Sequence, residues 1–323
     1  MPALSSFPEW FLLLFGVAFG LAWGSFTNVV IHRVPLGQSV VSPASRCVGC
    51  GAPIRARDNL PVLGFLLLRG RARCCGARIS PRYALVELFG GLLAAAVIEL
   101  VIADLPGETS IAHASAVFAV YLALGLGLIA LTFIDLEHML LPDSLTLGGA
   151  ALGLLSAPLR DVPLLDAAIG GAVGFALVYL PFDLLHRWLR GYPGMGLGDA
   201  KLTLLAGCWF GWKGAVFALF AGAVQATLVT LAVFVARGKL EEPEAVVRER
   251  EEFEAELARA EGEERLALER ERELDPILRA PEPGLGKMRL PFGPFLALST
   301  LEYALLERAG LGELLGAAFA PWS

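Results

Sequence analysis

Charge is scarce in this chain. Asp, Glu, Lys and Arg make up 18% of its 323 residues, against 56% hydrophobic residues. Such a composition excludes a disordered chain, and a mean hydropathy of +0.63 excludes an ordinary water-soluble domain, whose core has no room for so many apolar side chains. Five cysteines are too few for a disulfide-stapled secreted scaffold, and the 36 glycines show no collagen-like period. No internal repeat or low-complexity tract stands out beyond one charge-dense run. What remains is a polytopic membrane protein.

Charge is absent altogether from 10–31, a run of 22 residues, enough to cross a hydrocarbon layer of about 30 Å at about 1.5 Å per residue. No Lys or Arg precedes it and no A-x-A site follows, so it reads as a retained anchor rather than a secretory signal. The runs 83–103, 114–134 and 214–236 are comparable, although Glu87 and Glu99 interrupt the first. Four more, 144–159, 167–182, 202–212 and 290–306, are shorter or interrupted, as helices sheltered inside a bundle can be. The expected fold is all-α, a bundle of about eight transmembrane helices with a cytoplasmic Cys-containing loop domain. The segments expected are a first anchor over 1–32, a basic loop over 33–82, a transmembrane core over 83–236, a charged insertion over 237–290 and a last span over 291–323.

With eight spans, 23 of the 26 Lys and Arg fall on one side, leaving only Arg160, Lys213 and Arg308 on the other. The positive-inside bias makes that side cytoplasmic and puts both termini outside. The stretch 237–290 carries 11 basic and 16 acidic residues, with Val246, Val247, Phe253, Leu257, Leu266 and Leu274 at roughly helical spacing. It predicts a charged amphipathic helix or hairpin, serving as a solvated spacer or as a docking surface.

Four cysteines lie in the basic loop, where thiols stay reduced, so Cys47 and Cys50 followed by Cys74 and Cys75 point to a tetrahedral metal site, zinc first, rather than disulfides. Gly49 and Gly51 allow a tight knuckle around the first pair. The second pair is irregular, because adjacent residues usually point apart; a three-thiolate site and unligated thiols stay open. Cys208, in an apolar run, reads as a small buried hydrophobe.

Acids at membrane depth are costly and mark function. Asp135 ends the third span in FIDLEHMLLPD and Asp199 opens the sixth in GMGLGDAKL, so both lie at cytoplasmic helix ends although 64 residues separate them. Two carboxylates a few Å apart cannot both ionise cheaply, so one keeps a proton and the pair can act as base and acid on one water. Gly194, Gly196 and Gly198 clear the approach to Asp199 for a peptide backbone. Each aspartate alone is equally explained as an interfacial helix cap. A turn and an N-terminal cap account for Pro142 and Asp143, and Lys201 reads as snorkelling to headgroups. His32 and His138 lack ligand spacing, Glu87 should be buried in helix packing, and Glu137 points away from Asp135.

Seven ordered motifs now carry a resemblance: GSFTNVVIHRVP at Gly24 to Pro35, CVGC, DNLPVLGFLLLRGR at Asp58 to Arg71, ISPRYALVELFGG at Ile79 to Gly91, IDLEHMLLPD, GMGLGDAKL, and PFGPFLAL at Pro291 to Leu298. Together they resemble the prepilin peptidases, membrane aspartic proteases with a GxGD motif. The resemblance implies that Asp135 and Asp199 are the catalytic pair. It implies substrates, the precursors of type IV pilins and type II secretion pseudopilins, cut at the cytoplasmic face of the inner membrane of a bacterium. Some similar members with a long first cytoplasmic loop also methylate the new amino terminus with S-adenosylmethionine. Asn28 and Arg33 match the first motif. Two departures stand out: the family usually carries C-x-x-C where this chain has Ala72 and Cys75, and the insertion 237–290 is longer and more acidic than expected. That insertion is a candidate contact with the pilus or secretion machinery, and no nucleic-acid partner is expected. The competing readings are a proton-coupled transporter and a catalytically silent pilus assembly factor.

Overall fold

The computed structural model describes residues 2–191, 194–238, 242–274, 278 and 290–307, and they are helical with irregular connections. The helices are α1 (Glu9–Arg33), α2 (Leu63–Leu67), α3 (Pro81–Val97), α4 (Ile111–His138), α5 (Asp143–Leu155), α6 (Leu164–Val178), α7 (Leu185–Arg190), α8 (Leu197–Arg237), α9 (Glu244–Arg259), α10 (Gly262–Leu274) and α11 (Gly293–Leu306). Short π-helical turns carry α3 on to Ile102 and join α6 to α7.

Among the described residues, five helical stretches, Glu9–Arg33, Pro81–Ile102, Ile111–His138, Leu164–Arg190 and Leu197–Arg237, are long and apolar enough to cross a membrane; Asp143–Leu155 and Gly293–Leu306 are apolar but shorter. The expected count of eight is therefore not reached on length. The runs 202–212 and 214–236, expected as separate spans, fall in Leu197–Arg237, where two helical segments meet at Gly211, whose φ of 68° and ψ of −174° only glycine adopts readily.

The chain divides into two compact units. One holds Met1–Leu131, Ala151–Leu164 and the chain from Leu301 onward; the other holds Thr132–Ala150 and Leu165–Thr300. In the first, α1 and α3 meet through glycine. A Cβ on Gly24 would lie 2.9 Å from the Glu87 Cα, and one on Gly90 would lie 2.5 Å from the Gly20 carbonyl oxygen. Between helices in lipid, where no hydrophobic drive exists, such small residues allow the backbone contact that holds the pair. Asn28 adds a polar tie, donating from Nδ2 to the Tyr83 carbonyl at 3.0 Å. On the other side of α1, Phe11, Phe15, Phe19 and Trp23 lie exposed in a stacked file, the surface a helix offers to acyl chains.

The second unit repeats the device with different residues. Gly170, Gly171 and Gly174 of α6 back onto α8, and a Cβ on Gly170 would sit 2.5 Å from the Gly207 carbonyl oxygen. Hydrogen bonds fix the neighbours: Trp209 Nε1 donates to Gly149 O at 2.9 Å, and Ser299 Oγ to Ala218 O at 2.7 Å, tying α5 and α11 to α8. Cys208 is buried beneath Gly171, the small apolar role expected of it.

Beyond α8 the charged insertion forms α9 and α10, broken near Gly262 at a φ of 60°. Of the apolar residues expected to form its stripe, Val246 and Phe253 are buried, while Leu266 is exposed. Residues 275–277 and 279–289, along with 308–323 of the last expected segment, lie outside the described residues.

Candidate active site and metal centre

Asp135 sits in the last turn of α4, which ends as Met139 turns to a φ of 52°. The residue is 5% exposed. The backbone N–H of Gly293, the first residue of α11, donates to Asp135 Oδ2 at 3.0 Å. That N–H is one of the groups a helix leaves unpaired at its start, and a carboxylate is the partner favoured there. A Cβ at Gly293 would come 2.7 Å from Oδ2 and 2.9 Å from Leu141 Cδ2, so this position tolerates no side chain without moving one of them. Glu137, two residues on, is exposed, as its helical position required.

Asp199 is the third residue of α8 and partly exposed. Its carboxylate reaches back to the backbone N–H of Gly196, the residue before the helix, which is half of a capping box. It therefore caps the helix. Leu141 packs against Gly198, beside Asp199, and also beside Gly293, the donor to Asp135, so both aspartates border one contact within one unit.

The glycines before Asp199 do different things. A Cβ on Gly194 would lie 2.8 Å from Phe182 O and 2.9 Å from the His186 ring, and one on Gly198 would lie 2.9 Å from Leu141 Cβ. What fills the space beside those two is the protein's own chain, so close packing of the loop requires them. Gly196 is exposed, and a Cβ there would make only an ordinary contact, 3.4 Å from Asp199 Oδ2. Lys201 Nζ pairs with Asp143 in the first turn of α5. The backbone N–H groups of Leu145 and Thr146 bond the Pro142 carbonyl, so Pro142 stands at the cap position and Asp143 is the first helical residue.

Outside the spans, Cys47, Cys50, Cys74 and Cys75 bring their sulfurs within 4.8 Å of one another, all as free thiols. Cys47 Sγ lies 3.6 Å from Cys75 Sγ, Cys50 Sγ 3.3 Å from Cys74 Sγ, and Cys74 Sγ 3.9 Å from Cys75 Sγ. A tetrahedron of thiolates about 2.3 Å from a central ion has edges of about 3.8 Å, so the donor set fits a thiophilic cation such as zinc. Adjacent Cys74 and Cys75, expected to point apart, serve one cluster. The N–H groups of Gly49 and then Cys50 hold the Cys47 thiol down at about 6, while Cys74, facing Cys50 and the other sulfurs, is pushed up to about 12. A bound cation would favour the thiolate form of every donor and release the protons still held.

The loop carrying these thiols is latched to α3. The Val62 N–H, on a residue at φ 61°, donates to Glu87 Oε2 at 2.7 Å, and Ser25 bonds the same carboxylate. Glu87 is buried as expected, but it anchors a loop instead of only packing a helix. Arg33 ties down the start of the same loop, donating to Ser39 O and Pro43 O at 2.9 and 2.7 Å.

Comparison with known proteins completes the picture. The family model for the bacterial peptidase A24 N-terminal domain matches residues 18–101, and that for the type IV leader peptidase family matches 122–231. The prepilin leader peptidase/N-methyltransferase of Klebsiella pneumoniae is 41% identical over 201 residues, covering 60% of this chain and 83% of its own. The chain belongs to the type IV leader peptidase family. Proteins of the same name from Myxococcus xanthus, 37% identical over 250 residues (73% of this chain, 68% of that one), and Pseudomonas putida, 38% over 245 (69% and 81%), align similarly. No solved structure matches. As a leader-peptidase family member the protein is a multi-pass membrane protein, with the thiol cluster inside the first matched stretch and both aspartates inside the second. Gly293 lies beyond either match. The motif PFGP was visible in the sequence, but nothing local in it announced a hydrogen bond to a residue 158 positions earlier.

Proposed function

We propose that this protein is an aspartic endopeptidase of the membrane that removes the leader from type IV prepilins and type II secretion pseudopilins, with Asp135 and Asp199 as its catalytic pair. The observation that carries the reading is that Leu141 packs against Gly198, the neighbour of Asp199, and beside Gly293, whose N–H holds Asp135, with both aspartates inside the stretch matched to the leader peptidase family. One carboxylate, ionised, takes a proton from a water held between them as the water oxygen bonds to the scissile carbonyl carbon. The other, protonated, hydrogen-bonds the carbonyl oxygen. As the tetrahedral carbon collapses, the C–N bond breaks and a proton passes to the departing amine, so no covalent enzyme intermediate forms. Gly293 orients Asp135, and Gly196 leaves one side of Asp199 clear for the extended substrate backbone, with Gly194 and Gly198 shaping that loop.

The bias of Lys and Arg supports a cytoplasmic catalytic face and a location in the inner membrane of a bacterium. The expected division, with an anchor over 1–32, a metal loop over 33–82, a catalytic core over 83–236 and an insertion over 237–290 that contacts assembly machinery, is part of this proposal. Zinc at Cys47, Cys50, Cys74 and Cys75 would supply a structural cross-link to the loop and no step of hydrolysis. The relatives' names support a second activity, N-methylation of the newly exposed amino terminus. S-adenosylmethionine would supply the methyl group. Among the described residues no cluster marks a site for it.

The test is cleavage of a prepilin by Asp135→Asn and Asp199→Asn variants in detergent. Each should fall by roughly a thousandfold or more, since proton transfer by a positioned carboxylate contributes on the order of a hundred- to ten-thousandfold. A variant that processes precursor at the wild-type rate contradicts the pair. That result would favour the transporter or assembly-factor reading.

A further inference from the structure

The two halves of the thiol cluster are the same turn used twice. In the first, the Cys47 N–H donates to Ala52 O and the Gly51 N–H to Cys47 O, both at 2.8 Å, with a backbone bridge between Arg46 and Pro53 and Gly51 at a φ of 71°. In the second, the Ala72 N–H donates to Ala77 O and the Gly76 N–H to Ala72 O, again both at 2.8 Å, with a bridge between Arg71 and Arg78 and Gly76 at 73°. Every feature recurs 25 residues later. RCVGCGAP therefore aligns with RARCCGAR, and the repeat is hidden in the sequence because its chemistry has been rearranged. Cys50 corresponds to Cys75, but Cys47 corresponds to Ala72, and Gly49 corresponds to Cys74.

Geometry says what position 74 can do. In the first turn, a Cβ built on Gly49 would point into the cluster, 3.3 Å from Cys75 Sγ and 3.9 Å from Cys47 Sγ. The repeat gives Cys74 the equivalent place in the second turn, with its Cβ directed at the sulfurs, and its Sγ does reach Cys50 Sγ at 3.3 Å. Two routes thus lead from this turn to the fourth corner of the tetrahedron, one from its first position and one from its third. The first turn uses the first position and must keep glycine at the third, where Ala77 Cβ would lie only 2.7 Å from any Cβ. The second turn has alanine at the first position and fills the corner from the third.

We propose that Cys74 is a relocated metal ligand, carrying the duty that the repeat assigns to position 72, so that this chain retains a four-thiolate centre for a thiophilic divalent cation despite Ala72. The inference rests on the metal reading of the cluster, and the experiment separates the two. In full-length protein purified in detergent and loaded with zinc, alkylation followed by mass analysis should find Cys47, Cys50, Cys74 and Cys75 protected together and all exposed by a chelator. Cys74 is solvent-exposed, so a non-ligand thiol there would react equally fast in both states. Replacing zinc by cobalt should give the absorption of four thiolates in the wild type and of fewer in Cys74→Ser, with zinc held roughly tenfold or more weakly in that variant. Ala72→Cys/Cys74→Gly, which restores the regular spacing, should bind zinc as the wild type does. Zinc bound by the wild type with Cys74 unprotected, or by Cys74→Ser as tightly as by the wild type, overturns the relocation. Wild-type protein that takes up neither zinc nor cobalt overturns the metal reading beneath it.

Discussion

Cys47, Cys50, Cys74 and Cys75 come from two turns 25 residues apart, each closed by its own backbone hydrogen bonds, whereas Asp135, Asp199 and the Gly293 N–H come from the ends of three separate helices. The first arrangement is local. Each turn has its own closing bonds, and on the proposed reading Cys74 fills from the third position the corner that Ala72 leaves. The carboxylate site has no such redundancy. Its geometry exists only while α4, α8 and α11 keep their packing, with Leu141 wedged against Gly198 and beside Gly293. Locally built chemistry tolerates substitution, and chemistry assembled at long range concentrates sensitivity in small residues at its contacts.

The contrast is sharpest at Gly293. Gly293→Ala should lower the cleavage rate by about a hundredfold, the cost of displacing a reacting group by about 1 Å, while thermal unfolding in detergent stays near wild type. If the added methyl acts through Asp135, Leu141→Ala on top of it will not restore the rate; full recovery would trace the defect to Leu141 packing. Removing zinc with a chelator is the counterpart on the other site. It should expose the loop 46–78 to protease while cleavage by the carboxylates persists within a factor of a few, and loss of cleavage in parallel with metal would break the distinction. Glu87→Ala leaves the Val62 N–H without its partner and should destabilise the protein by about 1–3 kcal/mol, read as a lower unfolding temperature. Lys201→Met should have the smallest effect, about 1 kcal/mol or less, because its partner Asp143 is well exposed and water screens the pair.

What the sequence made legible follows the same division. The thiol set could be read from spacing, because its ligands are close in the chain. The aspartates could be read because an acid at the end of an apolar run needs a reason. The 25-residue repeat escaped, since its two ligand positions had exchanged chemistry while its frame, Arg, Gly and Ala, is unremarkable in composition. The donor to Asp135 is a backbone group, which no side chain announces. The boundary expected between 202–212 and 214–236 falls at Gly211, where two helical segments meet through a conformation that itself leaves no mark on hydropathy. Gly20 and Gly90 carry no signal of their own in hydropathy, and only packing shows that each lets the other's backbone approach.

Whether the two acids work as a unit is decided by adding their losses. Prepilin cleavage should be measured for Asp135→Asn, Asp199→Asn and the double variant under identical conditions. A shared water predicts that the double variant is no slower than the slower single one, because either substitution already disables the pair. Losses that multiply in the double variant would mean that the carboxylates act independently, and the account of a joint acid and base would be wrong.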